Sequence, residues 1–188
     1  MFVHDGVRFI TILYLANAFG LSPKTIGFFM LFYAAPLMIG ITYGGFLSDR
    51  WPGRTVGTTG MLLLATGLFW LSRVDADTGL MMLAPGLMMA GFSAGLSLVP
   101  FTKTAVVALG KERIGFASGL YNTLRFAGIA TSTPLLGLLL AWGFARHGGL
   151  ETVSEPYQLG FLLAAIVAIA GSGVAALIPK DQDSKVGP

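Results

Sequence analysis

Cysteine is absent from the 188 residues, so disulfides and thiolate-held metal sites are excluded. Charge is scarce too. Asp, Glu, Lys and Arg make up 11% of the chain, against about 25% in a typical soluble domain. So few charges do not cover a water-soluble globule. The net charge is +3, and the basic residues are scattered among short connectors, so no run presents a phosphate-binding face and nucleic acid is not expected as a partner. The two histidines, His4 and His147, lie too far apart to suggest a site by spacing. No carboxylate pair, metal-ligand cluster or nucleophile with a nearby base stands at useful spacing, so enzyme chemistry, a cofactor and a metal are not expected.

Apolar residues are abundant, at 54% of the chain, and they fall in long runs. Six runs approach the roughly 20 residues that cross about 30 Å of hydrocarbon. They cover Phe2 to Phe19, Lys24 to Leu47, Thr55 to Ser72, Gly79 to Ala108, Ala117 to Ala145 and Gln158 to Ile178. The pattern predicts an all-α membrane protein with six transmembrane helices over residues 1–178 and a polar cytoplasmic tail over 179–188. The first run holds one basic residue and lacks a small-residue cleavage site, so it is expected to be a helix and not a removable signal peptide. Pro85, Pro100 and Pro134 lie inside runs, where each removes a backbone hydrogen bond and permits a kink.

Orientation follows from the basic residues of alternating connectors. One side receives Arg50, Arg54, Lys103, Lys111, Arg113, Lys180 and Lys185; the other receives Lys24, Arg73 and Arg146. The excess places both termini in the cytoplasm of a multi-pass protein of the cell membrane.

Polar residues inside the runs are expected to avoid lipid. At 100° per residue, His4, Arg8, Thr11 and Tyr14 share about a third of the first helix's circumference. Ser118, Tyr121, Asn122, Arg125 and Ser132 share a similar arc of the fifth. Both arcs are expected to line one aqueous space, with helices two and four completing the wall. Asp5 is the sole acid within a run and the candidate for proton coupling, although Arg8, three residues on, can neutralise it. The sixth helix, apolar from Phe161 to Ala170, is expected to face lipid. Small residues at four-residue spacing are candidate helix contacts: Gly40 with Gly44, Gly91 with Gly95, Ala164 with Ala168.

The connector after the second helix reads Gly45-Phe46-Leu47-Ser48-Asp49-Arg50-Trp51-Pro52-Gly53-Arg54. It resembles the signature loop of the major facilitator superfamily, a glycine, then Asp-Arg, then Gly-Arg, on the cytoplasmic side between helices two and three of a six-helix half. Pro52 is one residue more than the usual spacing. Gly91 to Leu96, Pro100, and Arg113 to Arg125 with Ala117-Ser118-Gly119-Leu120 and Asn122-Thr123 are similar to the drug-efflux members. No arginine precedes Gly91 in the fourth helix, which favours the C-terminal half.

The resemblance implies a half-domain of 3+3 helices and a secondary active transporter of a small organic solute, efflux included, that works by alternating access. It also implies a partner, a second six-helix half on a separate chain, a second copy of this one, or a larger membrane complex. Gly45, Asp49, Arg50, Gly53 and Arg54 are then a conformational latch. Gly45 is expected at a close backbone approach, Asp49 at a helix N-terminus, and the arginines at headgroups or helix ends. The alternative is a non-transporting membrane subunit or assembly factor that retains the half-fold.

Overall fold

A computed structural model describes residues 2–75, 79–107, 114–146 and 154–177. All regular structure among them is helical: α1 (Phe2–Asn17), α2 (Pro23–Phe29), α3 (Leu31–Arg50), α4 (Gly53–Leu71), α5 (Leu83–Val107), α6 (Ile114–Arg146) and α7 (Ser154–Ala176), with a 3-10 turn at Leu80–Met82 before α5. Each apolar run of the sequence holds one helix, except that the second holds two. The tail over 179–188, together with Ala108, His147 and Ile178, lies outside the described residues.

Local chemistry sets the helix ends. Gly20, at φ +59°, takes the left-handed conformation that ends the first helical region, and the Leu21 N–H turns back to the Leu15 carbonyl at 3.2 Å. Ser22 then caps α2, accepting from the Thr25 N–H at 3.4 Å, with Pro23 in the first helical position, where its missing N–H costs nothing. The break at Met30 is mild. Its N–H still reaches Ile26 and its carbonyl still accepts from Ala34, both at 2.9 Å, so residues 23–50 run as one long rod. Pro36 inside α3 cannot donate to the Phe32 carbonyl, a second irregularity in the same rod. Pro85 was expected to remove a backbone bond and permit a kink. It instead occupies the first turn of α5, where a missing donor breaks no ladder, while Pro100 and Pro134 are interior to α5 and α6.

Four stretches are long and apolar enough to cross a membrane: Pro23–Arg50, Leu80–Thr104, Ile114–Gly143 and Ser154–Ala176. With 16 residues, α1 is short of a span by itself, and α4, though 19 residues long, interrupts its apolar face with Arg54 and four threonines.

Glycine decides the closest helix pair. α3 and α5 run parallel, and Gly40 and Gly44 interlock with Gly91 and Gly95 so that backbone meets backbone. A Cβ on Gly44 would lie 2.7 Å from the Leu96 carbonyl oxygen, and one on Gly95 would lie 2.5 Å from the Ile41 nitrogen. α4 lies antiparallel along α5, with Gly67 against Gly86 and Gly60 against Ser93 and Ser97. α7 packs on α4 and on α1, burying Tyr157, Phe161, Ala164, Ala165 and Ala168. This helix was expected to face lipid; in the bundle it leaves one stripe exposed, with Ile166, Ile169, Val174 and Leu177. Its alanines admit close neighbours, and that is why the other face turns inward.

α1 runs parallel to α6, meeting it where Gly6 lies against Ser132 and Leu136. Burial across the bundle is uneven. Of the most apolar 18-residue stretch of each helix, 61% is buried in α5 but only 17% in α6 and 22% in the α2–α3 rod.

Candidate functional site

The expected polar arc of α1 divides in two. Asp5, Arg8 and Ile12 form its least covered stripe, and Asp5 and Arg8 join in an ion pair with side-chain exposures of 17% and 52%. His4, Thr11 and Tyr14 turn the other way and are buried. The Thr11 hydroxyl donates to the Val7 carbonyl at 2.8 Å, a bond within its own helix. The Tyr14 hydroxyl donates to the Val74 carbonyl at 3.0 Å, and its ring packs on Phe19, Tyr157 and Phe161 with centroids 5.4, 5.1 and 6.2 Å away. Tyr14 therefore does not line an open space. It ties α1 to α7 and to the connector after α4, because its phenol has an acceptor there and its ring completes an aromatic cluster. Both ring nitrogens of His4 are buried with no hydrogen-bond partner among the described residues.

On α6, Ser118, Tyr121, Arg125 and Ser132 lie on the partly or wholly covered side, whereas Asn122 is exposed. Ser118 and Ser132 spend their hydroxyls on the carbonyls of Gly115 and Ile129, at 3.1 and 2.7 Å. The guanidinium Nε of Arg125 is buried and has no hydrogen-bond partner among the described residues.

The two arcs do not meet at their tyrosines. Gly6 is level with Ser132 and Leu136, which places Tyr14 about 12 Å up one helix and Tyr121 about 16 to 22 Å down the other at 1.5 Å per residue. On α3, Tyr33 is buried, its backbone against Gly91 of α5. It carries no motif and was not among the expected site residues.

At the other end of the bundle, the signature loop joins four helices, α3, α4, α5 and α7. Asp49 forms an ion pair with Lys103 of α5 and not, as expected, with a helix N-terminus. Lys103 is the nearer opportunity, since the glycine interlock brings the two parallel helices to the same level here. Arg50 folds back over the Phe46 ring, its guanidinium carbon 4.1 Å from the centroid. Gly53 opens α4 and is buried, and Arg54 Nη1 donates to the Ala176 carbonyl at 3.5 Å, where the exposed carbonyls of a helix C-terminus favour a cation. Gly45 does not sit at a close approach: beyond its own stretch of helix, no atom of the described residues lies within 4 Å of where its Cβ would be. It stands about a quarter turn round α3 from the interlock, and none of the described residues packs on it. No group of three His, Asp or Glu side chains among the described residues is placed to hold a metal ion.

The arrangement amounts to a helical bundle with a charged pair on an open wall, two poorly covered helices beside it, and an ionic clasp at one end. The sequence profile described as Major Facilitator Superfamily matches residues 2–188. The uncharacterized transporter YebQ of Escherichia coli is 26% identical over 164 residues, which are 87% of this chain and 34% of that protein. The tetracenomycin C resistance and export protein of Streptomyces glaucescens is 30% identical over 72% of this chain and 25% of its own length. The methyl viologen resistance protein SmvA of Salmonella typhimurium is 32% identical over 74% of this chain and 28% of its own. The chain thus spans about a quarter to a third of the length of these relatives.

Proposed function

Since the chain belongs to the Major Facilitator Superfamily, we propose that it is the C-terminal six-helix half of a secondary transporter that moves a small organic solute by alternating access. The helices support six spans: α1 and α4 complete a set in which each crossing reverses the last. They also support an inverted repeat of three and three. α3 runs parallel along α5 as α6 runs parallel along α1, α4 packs antiparallel on α5 as α7 packs on α1, and α4 and α7 pack on each other. That correspondence between the first three helices and the last three supports the kind of repeat found in inverted-topology transporters.

The observation that carries the reading is the Asp5–Arg8 pair on an uncovered stripe of a membrane helix. Charges at that depth are costly in lipid and belong beside water or a partner. The poorly buried faces of α6 and α3, with Leu124, Phe126 and Leu138 on one and Met38, Ile39 and Phe46 on the other, suit a second half across that space. Efflux of a drug-like solute is the matching activity, since relatives are named for resistance and export.

The absence of native cysteine makes the test direct. Single cysteines placed at Leu124 and Ile39 are expected to crosslink to a second six-helix unit in native membranes, and vesicles carrying that assembly are expected to accumulate amphiphilic dye against a gradient. A monomer that transports alone in liposomes contradicts the half-transporter reading. Co-purification in fixed ratio with an unrelated complex, without solute movement, contradicts transport.

A further inference from the structure

The ion pair on α1 sits in surroundings that are unbalanced in charge. Its carboxylate is 17% exposed and its guanidinium 52%, so the positive end is what the open side meets. Depth follows from Gly6, between the two charged residues, which lies against Ser132 and Leu136 of α6, seven to eleven residues inside the Gly143 end of that helix's apolar stretch and so about 10 to 16 Å from it. On α6, Arg125 brings a second guanidinium to the covered side, its Nε buried and without a hydrogen-bond partner among the described residues.

The other described acids are elsewhere. Asp49 is engaged by Lys103 at the cytoplasmic clasp, Asp75 accepts from Ser154 at the opposite end, and Glu155 lies in the first turn of α7. Between its two ends this half therefore carries, among the described residues, two guanidiniums, Arg8 on the open side of α1 and Arg125 on the covered side of α6, and one carboxylate, Asp5. That carboxylate is already engaged, so a cation finds no free acid among the described residues of this wall.

We propose that Arg8 anchors an anionic group of the transported molecule, a carboxylate or phenolate on an amphiphile, and that Asp5 holds the guanidinium in place while competing with that group. The inference rests on the transporter reading above and names its substrate class. A guanidinium offers a planar fork of donors, and Asp5 occupies only part of it, which leaves edges for a second oxyanion. In a site of low dielectric such a charge-assisted bond is stronger than in water.

Three probes that share a twelve-carbon chain test the proposal: laurate, dodecanol and dodecyltrimethylammonium. Each is added to the full chain in phosphatidylcholine nanodiscs while thermal unfolding is followed by tryptophan fluorescence. Laurate is expected to raise the midpoint and the other two are not. Arg8→Gln is expected to abolish the laurate shift and Arg8→Lys to keep part of it. Asp5→Asn, which removes the competitor, is expected to tighten laurate binding by about three- to tenfold.

Equal shifts with all three probes, stabilisation by the cation alone, or a laurate shift that survives Arg8→Gln overturns the proposal. If Arg8→Gln does not fold, unchanged or weaker laurate binding in Asp5→Asn overturns it instead. In phosphatidylglycerol discs, Arg8-dependent stabilisation without laurate assigns the anion to a lipid headgroup and overturns the solute assignment. Transport of cationic solute without laurate binding removes this inference and leaves the transporter reading; laurate binding without any transport does the reverse.

Discussion

The Tyr14 hydroxyl and the Val74 carbonyl meet at 3.0 Å across sixty residues of sequence, joining the far end of α1 to the connector that follows α4. Val74 also accepts from Gln158 Nε2 of α7 at 3.3 Å, so two helices converge on one connector carbonyl. Tyr14→Phe is therefore expected to cost only about 0.5 to 1.5 kcal/mol, since the acceptor keeps a donor. Tyr14→Ala also empties a site walled by Phe19, Tyr157 and Phe161, and about 3 to 5 kcal/mol is expected. Unfolding in mixed micelles by denaturing detergent measures both; equal costs argue against the ring cluster as the main tie.

The glycine interlock predicts a sharp contrast between two glycines of the α3–α5 pair. Gly95→Ala places a methyl group against the Ile41 nitrogen and the Gly40 carbonyl carbon, backbone atoms that cannot turn aside. A loss of about 1 to 3 kcal/mol is expected from overpacking. Gly45→Ala meets, beyond its own stretch of helix, none of the described residues within 4 Å and is expected to be neutral or to stabilise by up to about 1 kcal/mol through helix propensity. Thermal midpoints of the two variants in one detergent decide it. If Gly45→Ala leaves stability intact yet impairs transport, the role of that glycine lies against the second half.

The Asp49–Lys103 clasp is expected to act on conformation more than on stability. Both side chains are well exposed, at 70% and 47%, so screening leaves the pair worth well under about 1 kcal/mol. Asp49→Asn should leave expression and the unfolding midpoint nearly unchanged while shifting the balance between closed and open states. Thiol labelling of a single cysteine at Ser97, which is buried against Gly60, reports opening, with a cysteine at Ser118 as the second probe. Identical labelling with and without Asp49→Asn reduces the loop to an anchored turn.

Arg54 makes a separate prediction at the same end. Its bond to the Ala176 carbonyl holds the last turn of α7, and Arg54→Gln is expected to speed amide exchange over residues 172–177 while the amides of α5 keep their protection. Exchange that rises equally in both helices points to global destabilisation.

The sequence by itself determined that the chain is helical and lipid-facing. Scarce charge and six apolar runs leave few other solutions, and the Asp49-Arg50 loop with Gly53-Arg54 resembles one family strongly enough to name it. The recurring glycines also announced close helix contacts, because in lipid only small residues let backbones approach.

What the sequence could not determine was which surface each helix turns to which neighbour. An arc of polar residues on α1 looks like a cavity wall at 100° per residue, yet Tyr14 found the Val74 carbonyl sixty residues away and Thr11 found the Val7 carbonyl in its own helix, so only Asp5 and Arg8 stayed outside. Gly45 and Gly44 are adjacent in sequence, yet Gly44 met α5 and Gly45 met none of the described residues. A hydroxyl in an apolar bundle takes whatever acceptor packing brings within reach, and a signature aspartate takes the nearest cation, here Lys103. Those pairings depend on helix rotation and register, quantities that many distant contacts fix together and no local run of residues encodes.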